Sequence, residues 1–260
     1  MNTEQLTLPE RQARFSRLCE RALLEAHHMG ESGIGTLGEK RLHALLKRFL
    51  CEDVRYHEVG LDGTRFVSDI RVGNDITEVQ TGAFYPMKNK IAYYLEHTDC
   101  TVTVVHPIVT RKWVCYVDPQ NGTASERRRS PRVERPVELL AELFSLLPAK
   151  PSSRLRFRLL CIEAQDFRLL TPRSKNTHRA TKRFERIPLA LLDDMIFESA
   201  KDLRALLPTD LSAHFAVKEL SRLTKLRGRD AYSAARAMVA LGLAEPAEPI
   251  GRAMAFTRNY

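Results

Sequence analysis

The chain has 260 residues, 43% of them apolar and 28% charged, and a formal net charge of +9. That is apolar material for one large or two small cores, and with only 12 glycines and 13 prolines it excludes a disordered or linker-dominated chain. No uninterrupted apolar run approaches the length of a membrane span, and the opening MNTEQLTLPERQARF lacks a basic region followed by an apolar stretch, so neither a transmembrane helix nor a secretory signal is expected.

Residues 9–29 place Phe15, Leu18, Cys19, Ala22 and Ala26 at helical spacing, with Pro9 near the first turn. GESGIG (30–35) breaks that pattern, and a second helix is predicted over 37–50 with Leu42, Leu45, Leu46 and Phe49 on one face. The period then changes: 54–59, 65–72 and 76–81 read as strands, divided by Gly60 and Gly63 and by Gly73-Asn74. A helix is predicted over 84–97. TVTVVHPIV (101–109) is a continuous β-branched run suited to a buried central strand, and KWVCYV (112–117) reads as another strand, ended by turn residues at 118–122. A helix over 136–147, a half-buried strand over 154–164, a basic loop over 171–186 and a helix over 187–207 complete the series before a distinct C-terminal pattern.

The positive charge is concentrated. Residues 111–186 hold 18 Lys/Arg against 8 Asp/Glu, a net of +10, which leaves the rest of the chain at −1. Two clusters dominate: Arg127-Arg128-Arg129 through Arg135, and the stretch from Arg173 to Arg186 that contains Lys175, Arg179, Lys182 and Arg183. Such a segment attracts polyanions by counterion release; the alternative is a solvated loop that aids solubility. The five cysteines are odd in number and widely spaced, with no CxxC or HxxxH pattern, which argues for reduced thiols in a cytoplasmic protein and against a structural zinc site.

The chemistry centres on the hairpin FVSDIRVGNDITEVQ (66–80). If Gly73-Asn74 is a two-residue turn, residue 72 faces 75, 71 faces 76, 70 faces 77, and Asp69 faces Glu78. Like charges that close are destabilising unless something uses them. Gln80 shares their face, while Ser68, Ile70, Val72, Thr77 and Val79 point the other way. A hard divalent cation suits the pair: Mg²⁺ takes oxygen ligands and keeps several waters, and the Val79 carbonyl would be a third oxygen. The alternative is an exposed acidic pair tolerated by water. Glu39 lies on the apolar stripe of the second helix and is a further candidate ligand, though Thr36-Leu37-Gly38-Glu39 also reads as a capping box.

A helix bearing an acid, then a strand hairpin with D-x8-E-x-Q, then a helix and an apolar strand, resembles the PD-(D/E)XK nuclease superfamily. Ser68-Asp69 stands for the PD half, and Glu78-Val79-Gln80 for the (D/E)XK half. The resemblance covers about residues 36–110. It implies a restriction-endonuclease-like α/β fold, a mixed sheet flanked by helices, and Mg²⁺-dependent (or Mn²⁺-dependent) hydrolysis of phosphodiester bonds in DNA. It makes Asp69 and Glu78 metal ligands and Glu39 an accessory one. Gln80 stands where the family has lysine, and it can donate a hydrogen bond but no charge; active relatives with Gln there are known. Lys88 and Lys90 on the following helix are candidates to replace that cation, Lys88 being the more ordinary solvated position. Enzymes of this kind often work as homodimers to cut both strands, but no interface is legible.

The C-terminal pattern (214–259) resembles a winged helix-turn-helix. VKELSRLT would be the first helix, RDAYSAARAMVALGL the recognition helix, and PAEPIGRAMAFTR the wing with Gly251 at its tip. Arg227, Arg229, Ser233 and Arg236 are then candidates to face a DNA groove; a protein-binding winged helix is the alternative. The expected plan is a nuclease-like domain over 1–165, a basic loop and helical linker over 166–207, and the winged helix over 208–260. The expected function is a Mg²⁺-dependent DNA endonuclease with no membrane partner. The rivals are a non-catalytic DNA-binding regulator on a degenerate nuclease fold, and an assembly protein that binds RNA or nucleoprotein.

Overall fold

The computed structural model describes residues 3–29, 38–118, 120, 122–146, 152–170 and 181–260. Its elements are α1 (Leu8–Met29), α2 (Gly38–Leu50), β1 (His57–Gly60), β2 (Val67–Val72), β3 (Asp75–Val79), α3 (Lys88–His97), β4 (Thr101–Val117), β5 (Arg128–Arg129), α4 (Glu138–Leu146), β6 (Leu155–Leu170), β7 (Thr181–Phe197), β8 (His214–Ala216), α5 (Val217–Thr224), α6 (Gly228–Ala240), β9 (Ala244–Ile250) and β10 (Ala253–Arg258). The protein is α/β. A seven-stranded sheet runs β1-β2-β3-β4-β6-β7, with β5 paired to β4, and a three-stranded sheet runs β8-β10-β9. The large sheet is mixed, since β2 and β3 are antiparallel while β3 and β4 are parallel.

The chain forms two units, one from residues 1–59, 106–134 and 159–195, the other from 60–105, 135–158 and 196–260. In the first, the apolar stripes of α1 and α2 meet. Phe15 and Phe49 are fully buried with ring centres 5.2 Å apart at 81°, an edge-on aromatic contact. Arg11 and Arg41 tie these helices to β7 through Asp194 and Glu185, each at 2.6 Å. This unit also buries charge. Asp166 (1% exposed) takes Arg186 in a two-pronged pair at 2.7 and 3.2 Å, and Glu134 Oε1 lies 3.4 Å from the same guanidinium. Lys112 (7% exposed) stands beside them, and its burial holds its pKa below the ordinary lysine value.

In the second unit, Ile70, Ile76, Val79, Phe84, Ile91 and Tyr94 form the core between hairpin and α3. Here α4 and α6 pack together: α4 buries Leu139, Leu140, Leu143 and Leu146, and α6 buries Ala231, Ala234, Ala235 and Met238. The small residues of α6 let the two backbones approach. All five cysteines are free; burial pushes Cys19 up to about 12 and Cys161 up to about 11, so neither is a thiolate at neutral pH. Among the described residues, no helix is long and apolar enough to cross a membrane.

The structure corrects several predicted elements. The runs at 101–109 and 112–117 are one strand, β4, and the strand begun at 154 continues to Leu170. The segment 187–207 is not a helix: β7 runs through it to Phe197, and a short 3₁₀ turn follows at Asp202–Leu206. Pro188 lacks a backbone donor and would break a helix interior, whereas β7 ends the sheet order, and an edge strand tolerates proline. Residues 181–186 of the expected basic loop belong to β7 as well; the rest of that loop, 171–180, lies outside the described residues. Near the hairpin, the first strand is confined to His57–Gly60, after a 3₁₀ turn at Val54–Tyr56.

Candidate functional site

Gly73 adopts φ of 59°, which a residue without a Cβ takes at little steric cost, and with Asn74 it closes a two-residue turn. The turn sets the pairs Val72–Asp75, Arg71–Ile76 and Ile70–Thr77, the register expected from sequence. Asp69 and Glu78 lie one step beyond the last of these pairs, close enough for the charge of Asp69 to act on Glu78. The Asp69 carboxylate reaches across the hairpin: its Oδ2 accepts the Val79 backbone N–H at 2.7 Å. On the other side β3 lies parallel to β4, with Glu78 beside Val104 and Val79 beside Val105, and the Gln80 N–H donates to the Val105 carbonyl at 2.9 Å.

Glu78 is only 2% exposed. A buried carboxylate needs partners, and α3 supplies them. Lys90 Nζ lies 2.5 Å from Oε2, and the Tyr94 hydroxyl donates to Oε1 at 3.1 Å. Lys90 and Tyr94 are four residues apart, so both rise from one face of the helix. The Glu78 pKa is pushed up to about 7. Burial is the largest cause; the Lys90 cation opposes it, the negative charge of Asp69 adds to it, and the two hydrogen bonds pull it back. Burial and then Glu78 push the Tyr94 hydroxyl above its own ordinary value.

The expected site residues therefore separate. Asp69, Glu78 and Lys90 come together, with the Val79 amide bonded to Asp69. The Gln80 side-chain amide donates to the Ala83 carbonyl in its own loop. Lys88 is exposed, two residues from Lys90 on α3. The side chain of Glu39 lies outside the described residues, as do Arg173, Lys175, Arg179 and the side chain of Lys182. Arg183 is exposed on β7, and Arg227, Arg229 and Arg236 are exposed at α6, the Arg236 guanidinium 5.8 Å from the centre of the Phe144 ring. Tyr94 was missed by sequence reasoning; its signal was a tyrosine on the apolar face of α3, four residues after a lysine, with a hydroxyl that needs a buried partner.

Two adjacent carboxylates are hard oxygen donors of the kind Mg²⁺ accepts, leaving its other positions to water and phosphate. Among the described residues no three His, Cys, Asp or Glu side chains gather in a group able to hold a metal. Both oxygens of Glu78 already hold donors, so an ion would have to share Oε1 or Oε2 with Tyr94 or Lys90.

A family model described as a domain of unknown function (DUF8091) matches residues 40–198, more than half of the chain, and the chain belongs to that family. The match spans Asp69, Glu78, Lys90 and Tyr94 and stops before α5 and α6. No curated protein and no solved structure matches.

Proposed function

We propose that this protein is a Mg²⁺-dependent DNA endonuclease on a restriction-endonuclease-like fold, acting in the cytoplasm. Glu78 carries the reading: a carboxylate buried in the sheet, next to a second acid and bonded to a lysine from the following helix. Exposed acidic pairs need no such support, and a buried acid with its pKa near neutrality is the kind of group active sites maintain.

Asp69 and Glu78 would hold the ion, with the Val79 carbonyl as third oxygen. Bound there, Mg²⁺ would supply an activated water and neutralise phosphodiester charge. Water adds to phosphorus and gives up a proton, a bridging P–O bond breaks, and the departing oxygen takes up a proton in its turn, so that the elements of water are added across the bond. The chain's own groups orient these events. The Asp69 bond to the Val79 amide fixes one carboxylate, and Tyr94 fixes the other. Lys90 brings to Glu78 the cation that Gln80 lacks, and so would take the role of the lysine of the PD-(D/E)XK pattern in positioning the water.

The C-terminal elements are read as a winged helix. α5 ends at Lys225 in the left-handed conformation, α6 follows, and β9–β10 form the wing around Gly251. Exposed Arg227, Arg229 and Arg236 would contact phosphates, with a homodimer as the unit that cuts both strands.

The test is cleavage of supercoiled DNA with Mg²⁺ or Mn²⁺ by the wild type and by Asp69→Asn, which keeps an acceptor for the Val79 amide. Nicking or cutting that needs the metal and disappears in the variant supports the reading; undiminished cleavage by Asp69→Asn removes the site. One observation favours a second reading, a non-catalytic DNA-binding regulator. Both oxygens of Glu78 hold donors, and the Gln80 amide is engaged by Ala83, as in a site whose lysine has taken the metal's place. DNA binding without Glu78-dependent metal binding would select it.

A further inference from the structure

Along β4 lies a set of side chains that the proposed metal site does not use. Trp113, the single tryptophan of the chain, donates its indole N–H to Glu163 Oε1 at 2.5 Å, and Arg111 takes the other Glu163 oxygen at 3.0 Å. The Arg127 guanidinium sits 4.8 Å from the centre of the Trp113 ring. Three residues along, Tyr116 carries Arg128, with 5.2 Å between guanidinium and ring centre and 2.6 Å between Nη2 and the phenol oxygen. Arg128 lies on β5 and Arg127 directly before it; β5 sets Arg129 opposite Trp113 and Arg128 opposite Val114. Strand alternation sends neighbouring arginines to opposite faces, so this short strand presents cations on both sides.

The charge is almost all of one sign. Residues 126–132 hold four arginines and one glutamate, and Arg127, Arg128, Arg129 and Arg132 are all exposed. Among the described residues none of the four has an acidic partner, while the nearby Glu163 is engaged by Arg111 and Trp113 and Glu134 by Arg186. A guanidinium resting over an aromatic ring is held in place without losing its charge or its outward donors, so less ordering is needed when an anion binds.

We infer that this arginine edge is a docking surface for the phosphodiester backbone of nucleic acid, with Trp113 as its built-in reporter. The inference rests on the reading of DNA as partner and not on the metal site. Repeated phosphates match a run of exposed guanidinium groups, two of them seated on aromatic rings and none in an ion pair with an acid among the described residues.

The experiment uses the full chain carrying Asp69→Asn, without divalent metal, so that cleavage does not intervene. Trp113 fluorescence and the anisotropy of a labelled short duplex DNA are followed in the same titrations, from low to physiological salt. The expected result is a saturable change of Trp113 emission that coincides with binding. Arg127→Ala/Arg129→Ala should weaken binding several-fold and lower the slope of log K against log salt by about 2, near 0.9 for each lost phosphate contact. Arg127→Lys should keep the slope. DNA binding with silent Trp113 and unaffected arginine variants overturns the inference while leaving DNA as partner. An emission change with phosphatidylserine vesicles but none with DNA also overturns it and makes the surface a membrane contact. Absence of any DNA binding by anisotropy refutes the partner itself.

Discussion

Replacing Glu78 with glutamine removes a charge that the fold holds against its solvation. The carboxyl titrates at 4.5 when exposed and at about 7 in the folded protein, with burial as the main cause. At about 1.36 kcal/mol per pH unit, the difference amounts to roughly 3 kcal/mol. The sign follows from proton counting. Between those two values the folded state binds more proton than the unfolded chain, so stability falls as pH rises through the window, and the loss is complete above about 7. Glu78→Gln cannot titrate, and its amide oxygen can still accept from Tyr94, while Lys90 loses its counter-ion. That loss shifts the variant's stability by an amount nearly independent of pH. The informative quantity is therefore the stability of wild type minus that of Glu78→Gln, measured by urea denaturation in a chelating buffer from about pH 5 to about pH 8. It should fall by roughly 2.5 kcal/mol across that range, the remainder lying below pH 5. A difference that stays flat, or that rises with pH, would refute burial of an ionisable Glu78 and with it the electrostatic description of the site.

Other perturbations test separate parts of the structure. Tyr94→Phe removes the donor to Glu78 Oε1 and should cost about 1 kcal/mol in urea denaturation; it should also move the midpoint of the Glu78 pH profile upward, because that hydrogen bond favours the ionised acid. Arg186→Ala removes the hydrogen-bonded cation of the 1% exposed Asp166 carboxylate, leaving only Lys112 beside it, and should cost about 3 kcal/mol; a loss under about 1 kcal/mol would mean that the pair is open to water. Ala235→Leu puts extra volume into the small-residue face of α6 and should lower stability by about 1–3 kcal/mol, read from the thermal midpoint.

The local features were legible where one residue type forces one geometry. Gly73-Asn74 gave the turn, and the turn gave the register as far as the Ile70–Thr77 pair. The apolar period of α2 and the β-branched start of β4 read correctly for the same reason. Elements set by their neighbours did not. IPLALLDDMIF (187–197) satisfies a helical pattern as well as an extended one, and only Pro188, on an edge strand, distinguished them. Charge partners far apart in sequence were equally hidden: Asp166 meets Arg186 across 20 residues, and Trp113 meets Glu163 across 50. Nothing in spacing reports that Lys90 and Tyr94 both turn toward Glu78 and not toward water; that follows from how α3 packs on the sheet.

The most direct test of the central claim is the stoichiometry of Mn²⁺ binding, by calorimetry or by electron paramagnetic resonance, in the wild type, Asp69→Asn and Glu78→Gln. The account predicts a site present in the wild type and lost in each variant, with both variants still folded. No binding by the wild type, or binding that survives in both variants, would contradict it.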